Sequence, residues 1–295
     1  MTNDSYAYSA LQVTVDHGVA TVTLDNPPVN TIDVAVARDL GHFADLAQRD
    51  GSIKVIVLTS ANPEFFAAHA DFHWMFDPEE LMALSDPESD PTLNPLQQLH
   101  ERFRRLPQVT IAKIRGRLRA GGVELAMAAD MRFAAADQTW LGQPETRMGI
   151  FPGGGGTQYL NRLLGRARTI EVVLSGDLYG TDLAEKYGWI NRALPADQLD
   201  AYVDDLARRI AALPDGVAAA ALEAIDAAEA SGPAPNLTEE AAAHAKVYPA
   251  PPEVVARMRD TVAQGGQTAA GEIDLEGLLD RVASSAKVVR GVRTG

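Results

Sequence analysis

The chain has 295 residues, 46% of them hydrophobic and 22% charged, which is typical of a folded globular protein with a sizeable core. Its formal net charge of −14 disfavours broad docking on nucleic acid or on an anionic membrane, although a few local arginines could still bind an anionic cofactor. The chain contains no cysteine, which excludes disulfides, thiolate metal sites and a thiol nucleophile.

The amino terminus gives no sign of targeting. Residues 1–10 are polar and carry neither the basic region nor the apolar run of a secretion signal. No later stretch has the length and apolarity of a membrane span. We therefore expect a cytoplasmic protein.

Hydrophobic periodicity predicts alternating strands and helices in the first two thirds of the chain and almost only helices afterwards. Residues 11–15 and 19–24 alternate apolar and polar side chains on either side of Gly18, which predicts a β-hairpin. The further predicted strands are 55–59, 109–114 and 190–193. The predicted helices are 33–49 (with a cap near Thr31 or Asp33), 95–105, 157–164, 167–174, 181–187, 196–213, 217–230, 238–246, 252–264 and 275–288.

This order indicates an α/β core, residues 1–200, followed by a helical C-terminal region, residues 201–295. Between the second helix and the strand that precedes it, Asp77–Pro91 is acidic and contains three prolines. That composition predicts a mobile surface insertion.

The chemistry is concentrated in residues 115–158, around two glutamates. Gly121 and Gly122 lead directly into a helix-forming segment that contains Glu124. Glycines at a helix start leave backbone N–H groups free at the positive end of the helix dipole, where they can bind an oxyanion. Glu145 lies just before the run Gly153–Gly156. If both carboxylates reach the same place, they form an acid/base pair.

Other interpretations compete with this one. Glu124 could be an ordinary acid at a helix start, and Glu145 a surface turn residue. The run Gly153–Gly156 lacks the lysine of a phosphate-binding P-loop, so we interpret it as a turn close to the pocket. His69, Asp71 and His73 could converge on a metal, but we expect ordinary polar loop residues and no metal. The aromatic residues Phe65, Phe66, Phe72, Trp74, Phe76 and Trp140 are compatible with an acyl pocket or with plain core packing.

In the order and spacing of several motifs, the chain resembles the crotonase superfamily, the enoyl-CoA hydratase/isomerase family. The resemblance covers most of Leu11 to about Ala230, and the C-terminal helices more loosely. The matching segments are 26–33, 66–71, 116–130, 142–158 and the helix that contains 181–188.

The resemblance implies a spiral of ββα units with a helical C-terminal part that forms homotrimers, often as a dimer of trimers. It implies an acyl-CoA thioester as partner, with coenzyme A present only as part of the substrate and no separate cofactor. The family stabilises a thioester enolate with two backbone N–H groups, which match Ala70 and Gly121. In its hydratases two glutamates hold the attacking water, and these match Glu124 and Glu145.

The resemblance further implies substrate or CoA contacts from Ala68, His69, Asp71, Gly122 and Gly153, with Asp71 bracing the loop that carries the Ala70 N–H. Three positions depart from the family pattern. His69 and Ala120 replace frequent glycines, so His69 implies a different loop path or an imidazole near the thioester. The segment Arg117-Leu118-Arg119 stands where small or apolar residues are commoner. Arg119 could pair with a substrate carboxylate or the CoA phosphates, or be a surface arginine beside a glutamate.

The resulting hypothesis is hydration of a 2-trans-enoyl-CoA to a 3-hydroxyacyl-CoA. Glu124 would activate the water and Glu145 would protonate C2. The alternatives within the same enolate chemistry are double-bond isomerisation, thioester hydrolysis and C–C bond cleavage or formation. The alternative from another class is a non-catalytic acyl-CoA-binding subunit. RNA binding, known in the wider family, is disfavoured by the acidic balance of the chain.

Overall fold

An eight-stranded mixed sheet forms the centre of the molecule. The computed structural model describes residues 8–214, 216–230, 245 and 249–291. The strands are β1 (Leu11–Asp16), β2 (Val19–Leu24), β3 (Val55–Ser60), β4 (Phe65–Ala67), β5 (Val109–Arg119), β6 (Met131–Gly142), β7 (Leu178–Gly180) and β8 (Arg192–Leu194). Their order is β1-β2-β3-β5-β6-β7, with β4 paired to β5 and β8 to β6.

The sheet is parallel in its middle and antiparallel at its ends. β2, β3, β5 and β6 run parallel to their neighbours, whereas β1 joins β2 and β7 joins β6 in the antiparallel sense. The predicted hairpin is confirmed, and its turn holds both His17 and Gly18 at positive φ (47° and 80°). Two positive φ angles give the turn the twist that matches the flanking strands.

Helices cover both faces of the sheet. They are α1 (Val34–Arg49), α2 (Pro78–Met82), α3 (Pro95–Arg104), α4 (Gly121–Ala128), α5 (Gly156–Leu164), α6 (Arg166–Ser175), α7 (Thr181–Tyr187), α8 (Leu199–Ala211), α9 (Val217–Ala230), α10 (Pro252–Ala263), α11 (Ala269–Ile273) and α12 (Leu275–Gly291). The predicted cap of α1 is confirmed at Asp33, whose side chain accepts the Val36 N–H. The predicted helix at 238–246 falls, apart from residue 245, outside the described residues.

Alternation along the strands divides the core into two layers. In β3, Ile56 and Leu58 face the large cluster beneath α1 and α4, whereas Val55 and Val57 face the layer covered by α8. Both sets are buried because the strand lies inside the sheet with helices on each side. The division of the chain at residue 200 stays a prediction. Among the described residues, no helix has the length and apolarity to cross a membrane.

The main strand that the sequence does not predict is β6. Its sequence, Met-Arg-Phe-Ala-Ala-Ala-Asp-Gln-Thr-Trp-Leu-Gly, shows no sustained alternation. Asp137 has a φ of 58°, and the pairing with β5 shifts register nearby, between Ile114 and Gly116. Pairing with the long strand β5 on one edge and with β7 and β8 on the other therefore imposes the extended structure.

The C-terminal helices pack against the part of the molecule that carries the predicted site. Met258 of α10 and four residues of α12 form one apolar cluster with Phe72 and Met148; the four are Leu275, Leu278, Leu279 and Val282. Phe72 directly follows the loop of Ala70, and Met148 follows Glu145 by three residues. The C-terminal region thus covers one side of the candidate site.

Candidate active site

A cavity of about 240 Å³ brings together the four residues for which the resemblance implies the reaction chemistry: Ala70, Gly121, Glu124 and Glu145. Of the other predicted site residues, His69, Asp71 and Gly153 also line it. The rest of its wall is largely apolar and comes from Phe72, Trp74, Met75, Leu81, Met82, Leu96, Met148, Ile150, Phe151 and Met258.

The two predicted N–H donors face each other across a narrow gap. A Cβ on Gly121 would lie 2.9 Å from Cβ and 3.1 Å from N of Ala70, so the close approach requires glycine. Gly121 is the first residue of α4, where a backbone N–H has no partner within the helix. Within the described part of the chain, neither N–H donates a hydrogen bond. Two such donors can together bind one negatively charged oxygen.

Two backbone hydrogen bonds with Ile32 orient the N–H group of Ala70. The Ile32 N–H donates to the His69 carbonyl at 2.8 Å, and the Asp71 N–H donates to the Ile32 carbonyl at 3.0 Å. Because the His69 carbonyl and the Ala70 N–H share one planar peptide and point in opposite directions, the first of these bonds turns the Ala70 N–H away from Ile32.

Glu124 is buried and held by backbone groups. Its Oε1 accepts the N–H of Gly154 at 2.8 Å and the N–H of Gly156 at 2.9 Å. A Cβ on Gly154 would lie 2.5 Å from Oε2, and one on Gly156 would lie 2.8 Å from Oε1. The predicted turn at Gly153–Gly156 is therefore a cradle for the carboxylate, and glycine is needed there because the backbone must touch the oxygens.

A buried histidine supports this cradle from behind. His100 Nδ1 lies 2.7 Å from the carbonyl oxygen of Gly154, to which it donates. Burial lowers the pKa of His100 from 6.5 to about 4, although the bond to Gly154 acts in the opposite direction. His100 is thus neutral at physiological pH, and it fixes the peptide next to the one that binds Glu124. The sequence analysis does not identify this residue.

Glu145 reaches the cavity from the first turn of a short 3-10 helix, Pro144–Met148, and its side chain is buried. In the orientation that satisfies its surroundings, the Gln143 amide nitrogen donates to both Glu145 oxygens, at 2.9 and 3.2 Å. The Gln143 side chain also lies beside Gly156, whose N–H donates to Glu124. Gly156 is therefore close both to Glu124 and to the glutamine that holds Glu145.

Asp71 has the geometry of a brace. Its Oδ1 accepts the His73 N–H at 2.9 Å, the Gln267 amide at 2.7 Å, and a bond from His73 Nδ1 at 2.8 Å. Burial raises the pKa of Asp71, but the hydrogen bonds from His73 and Gln267 outweigh it and hold that pKa below its ordinary value. Asp71 thereby caps the 3-10 helix Phe72–Met75 that follows the loop.

His69 keeps an ordinary backbone conformation, because the positive φ angles of non-glycine residues lie elsewhere among the described residues. Its ring is buried and stacks on Phe72, with 4.0 Å between ring centroids. Ring nitrogen Nε2 lies 3.0 Å from Oε1 of Glu272 in the C-terminal region. The ring thus lies at the cavity wall in contact with Phe72 and Glu272, and an imidazole near the thioester stays a prediction.

Arg119 corrects both interpretations offered for it. The side chain is fully buried, so it is not a surface arginine. It does not line the cavity either: Nε donates to Oε1 of Glu276 at 2.7 Å, and Nη2 donates to the Glu272 carbonyl at 3.1 Å. Side chains alternate along β5, and this alternation turns Arg119 toward the C-terminal helices, away from any ligand in the cavity.

Two further predicted contact residues also lie outside the cavity wall. Ala68 is buried, its N–H donates to the Val29 carbonyl at 3.1 Å, and its carbonyl accepts the Arg119 N–H at 3.1 Å. A Cβ on Gly122 would lie 2.1 Å from the carbonyl oxygen of Ala67. Ala68 and Gly122 therefore let α4 pack closely on the loop, whereas Gly153 does line the cavity and accepts the Asn94 amide at 2.7 Å.

The aromatic residues divide between the two alternatives left open by the sequence. Phe72 and Trp74 line the cavity. Phe65 and Phe66 are fully buried in the core, and Trp140 stacks under Arg117. Sequence analysis does not identify Leu81 and Met82, which belong to the acidic insertion, nor Met258 of α10. In the sequence, each of these three residues stands out only as an apolar residue within a polar segment.

The arrangement as a whole can do two things. The two N–H groups can bind a carbonyl oxygen that gains negative charge, and the two carboxylates can accept and deliver protons beside it.

Comparison with known proteins agrees with the geometry. The family model described as enoyl-CoA hydratase/isomerase matches residues 14–254. A probable enoyl-CoA hydratase of Bacillus subtilis (strain 168) is 36% identical over 170 residues, which are 57% of this chain and 63% of that protein. The fatty acid oxidation complex subunit alpha of Aliivibrio fischeri is 33% identical over 199 residues, 65% of this chain but 28% of that protein. The chain thus matches less than two thirds of the length of either relative.

Among solved structures, a protein of Streptomyces avermitilis provisionally named an enoyl-CoA hydratase is similar over 94% of this chain and 100% of its own, with 48% identity and a TM-score of 0.86. The predicted crotonase-like α/β fold with a helical C-terminal region is thereby confirmed. The chain belongs to the enoyl-CoA hydratase/isomerase family, the crotonase superfamily.

Proposed function

We propose that the protein hydrates a 2-trans-enoyl-CoA to a 3-hydroxyacyl-CoA. The observation that carries the proposal is the convergence of Glu124, Glu145 and the N–H groups of Ala70 and Gly121 on one cavity. An isomerase of this family can work with the carboxylate that matches Glu145 alone. A second carboxylate, buried and held by two backbone donors, is what the addition of water requires.

In the proposed mechanism the thioester carbonyl oxygen accepts hydrogen bonds from Ala70 and Gly121. Glu124 takes a proton from a water molecule while the water oxygen adds to C3. The electrons of the double bond move to the carbonyl oxygen. The resulting enolate is stabilised by the two N–H donors, each contributing about 3–4 kcal/mol at analogous sites. Glu145 then delivers a proton to C2, which completes the 3-hydroxyacyl thioester.

The largely apolar wall of the cavity suits the hydrocarbon part of an acyl group. Coenzyme A enters as part of the substrate, and the proposed steps use no further cofactor. A homotrimer or a dimer of trimers, with a cytoplasmic location, completes the proposal by analogy with the family.

The test measures hydration as the loss of absorbance of the enoyl thioester, with crotonyl-, octenoyl- and cinnamoyl-type CoA esters as substrates. Wild type is compared with Glu124→Gln and Glu145→Gln, and Glu80→Gln, an exposed carboxylate of the insertion, is the control. We expect each active-site variant to lose about 100-fold to 10,000-fold in kcat and the control to be unchanged.

Mass spectrometry of the product separates the alternatives, because hydration adds one water to the acyl chain and isomerisation adds none. Undiminished hydration by Glu124→Gln would contradict the assignment of the base. Binding of all three esters without any turnover would indicate a non-catalytic subunit.

A further inference from the structure

A buried group of four ionisable side chains connects the loop of Ala70 to the C-terminal helices. The group consists of His69, Arg119, Glu272 and Glu276. His69 Nε2 lies 3.0 Å from Glu272 Oε1, and these two side chains are 1% and 0% exposed. Arg119 Nε lies 2.7 Å from Glu276 Oε1, and Arg119 Nη1 lies 3.9 Å from Glu272 Oε2. Two groups that can be cationic thus oppose two carboxylates.

The imidazole of His69 holds the backbone as well as the carboxylate. Its Nδ1 lies 2.9 Å from the carbonyl oxygen of Ala70. Since a carbonyl and a carboxylate are both acceptors, the ring satisfies its two contacts when both nitrogens carry hydrogen. In that state it joins the Ala70 carbonyl to Glu272 through one rigid ring.

This connection adds to the contacts that hold the orientation of the two peptide planes on either side of the Ala70 Cα. The peptide that contains the Ala70 N–H is fixed by the bond between Ile32 and the His69 carbonyl. The next peptide is fixed by the Asp71 N–H, which donates to Ile32, and by the His69 ring on the Ala70 carbonyl. Rotation about either backbone bond of the Ala70 Cα would strain one of these contacts, so the His69 ring adds to the two Ile32 bonds in fixing the direction of the Ala70 N–H.

Glu272 is itself held firmly in place. Its Oε1 also accepts the Gln267 N–H at 2.7 Å, and its backbone carbonyl accepts a bond from Arg119 at 3.1 Å. Burial raises the pKa of Glu272, but the charge and hydrogen bond of His69, the Gln267 N–H and Arg119 outweigh it and hold that pKa below its ordinary range. An ionised, fixed carboxylate is thus available to the imidazole.

We propose that Glu272 is a positioning residue for the oxyanion site: through the His69 ring it fixes the direction in which the Ala70 N–H points. Glu272 follows His69 by 203 residues and does not line the cavity. The inference rests on the proposed function for the identity of the oxygen that the N–H binds. It predicts that Glu272 acts on enolate stabilisation rather than on substrate capture.

The test uses Glu272→Gln, with Glu276→Gln as the matched control. Glu276→Gln makes the same chemical change and removes a carboxylate from the same group of four side chains. That carboxylate binds Arg119 rather than His69. Hydration kinetics should show kcat reduced about 10-fold to 100-fold in Glu272→Gln with KM nearly unchanged, because a small misdirection of one donor weakens transition-state binding. Glu276→Gln should stay within about twofold of wild type in kcat, since the His69 contacts remain.

A spectroscopic signature separates positioning from general destabilisation and does not require turnover. Hydrogen bonds to the carbonyl of a bound cinnamoyl-type CoA ester polarise its conjugated system and move its absorbance to longer wavelength. We expect this shift in wild type and in Glu276→Gln, and its reduction or loss in Glu272→Gln. An equal shift in all three proteins would overturn the inference.

Two further outcomes are distinguishable. If wild type shifts the spectrum but hydrates no ester, the proposed reaction fails while the comparison of shifts still decides the role of Glu272. If circular dichroism shows that Glu272→Gln does not fold, Glu272→Asp carries the test, because it retains the charge and draws the carboxylate back by one methylene group. A reduced shift in Glu272→Asp supports the inference, and an unchanged shift overturns it.

Discussion

Two walls of the same cavity are supported in different ways. The glutamate wall (Glu124, Glu145 and Gly153–Gly156) is held by residues outside the C-terminal region: His100 lies 54 residues from Gly154, and Gln143 lies two residues from Glu145. The loop wall (His69–Asp71) is held by Ile32 and also by Gln267 and Glu272, which follow Asp71 and His69 by 196 and 203 residues. The difference teaches that two walls of one cavity can depend on different parts of the chain, and that the C-terminal region supports the loop wall.

The largest effect is expected in the glutamate wall, from Gly154→Ala. The new Cβ would lie 2.5 Å from Oε2 of Glu124 and 3.2 Å from Cε1 of His100, so the carboxylate must move. We expect kcat for enoyl-CoA hydration to fall about 100-fold or more, because the base leaves its position. The control is Gly180→Ala, where a Cβ meets no atom within 4 Å. Equal activity of the two variants would contradict the cradle.

The pH dependence of stability tests the support behind that wall. His100 has a folded pKa of about 4 against 6.5 in the unfolded chain, so below pH 6.5 only the unfolded state binds the proton. Stability contributed by this group is therefore complete above pH 6.5 and falls by about 3 kcal/mol as the pH drops to 4. Denaturant titrations at several pH values should show that the free energy of unfolding of His100→Gln lacks this loss of about 3 kcal/mol between pH 6.5 and pH 4. The exposed Gln264→Ala, which removes no titratable group, should keep the wild-type dependence of stability on pH.

A smaller effect is expected in the loop wall from Gln267→Ala. This variant removes the 2.7 Å hydrogen bond to Asp71, which should cost about 2 kcal/mol because the acceptor is charged. Hydrogen exchange should also become faster in residues 69–75, since the brace on the loop is lost. Gln264→Ala, an exposed glutamine of the same C-terminal segment, should change neither quantity. Unaltered hydrogen exchange in Gln267→Ala would show that the loop wall does not depend on the C-terminal region.

The smallest effect concerns Ala120, which precedes Gly121 at the junction of the two walls. Ala120 has a φ of 47° and a ψ of −124°, a conformation that glycine adopts without the steric cost of a Cβ. We expect Ala120→Gly to raise the free energy of unfolding by about 0.5–1 kcal/mol, the relief of strain less the greater entropy of unfolded glycine. Ala126→Gly, inside α4, should lower it by about 1 kcal/mol or more. A destabilised Ala120→Gly would show that the strain is absent.

The sequence predicts the elements with strong periodicity and leaves out those that depend on pairing. The hairpin, α1, the strand at 55–60 and α7 follow from alternation, capping and helical spacing. β6 was not predicted, because its alanine-rich sequence has no clear period and its extended form comes from its partner strands. The short strands β4 and β7 have three residues each, which is too few to show a period.

The candidate site shows the same limit. Glycines beside a carboxylate point to Glu124, and the family pattern adds Glu145, Ala70 and Gly121. The direction of a side chain is harder to predict: Arg119, expected at a ligand or at the surface, is buried against Glu276. Its direction depends on which helices cover the end of β5, and these helices come from a distant part of the chain.

The sequence by itself determined the α/β class and the family and predicted the pair of glutamates, because periodicity and short motifs are properties of neighbouring residues. Only the tertiary structure decided that Gly154 and Gly156 bind Glu124, that His100 supports them, and that Glu272 meets His69. These contacts join residues up to 203 positions apart. The contact of Glu272 with His69 lies where the C-terminal helices pack on Phe72 and Met148, and polar groups that such packing buries need hydrogen-bond partners.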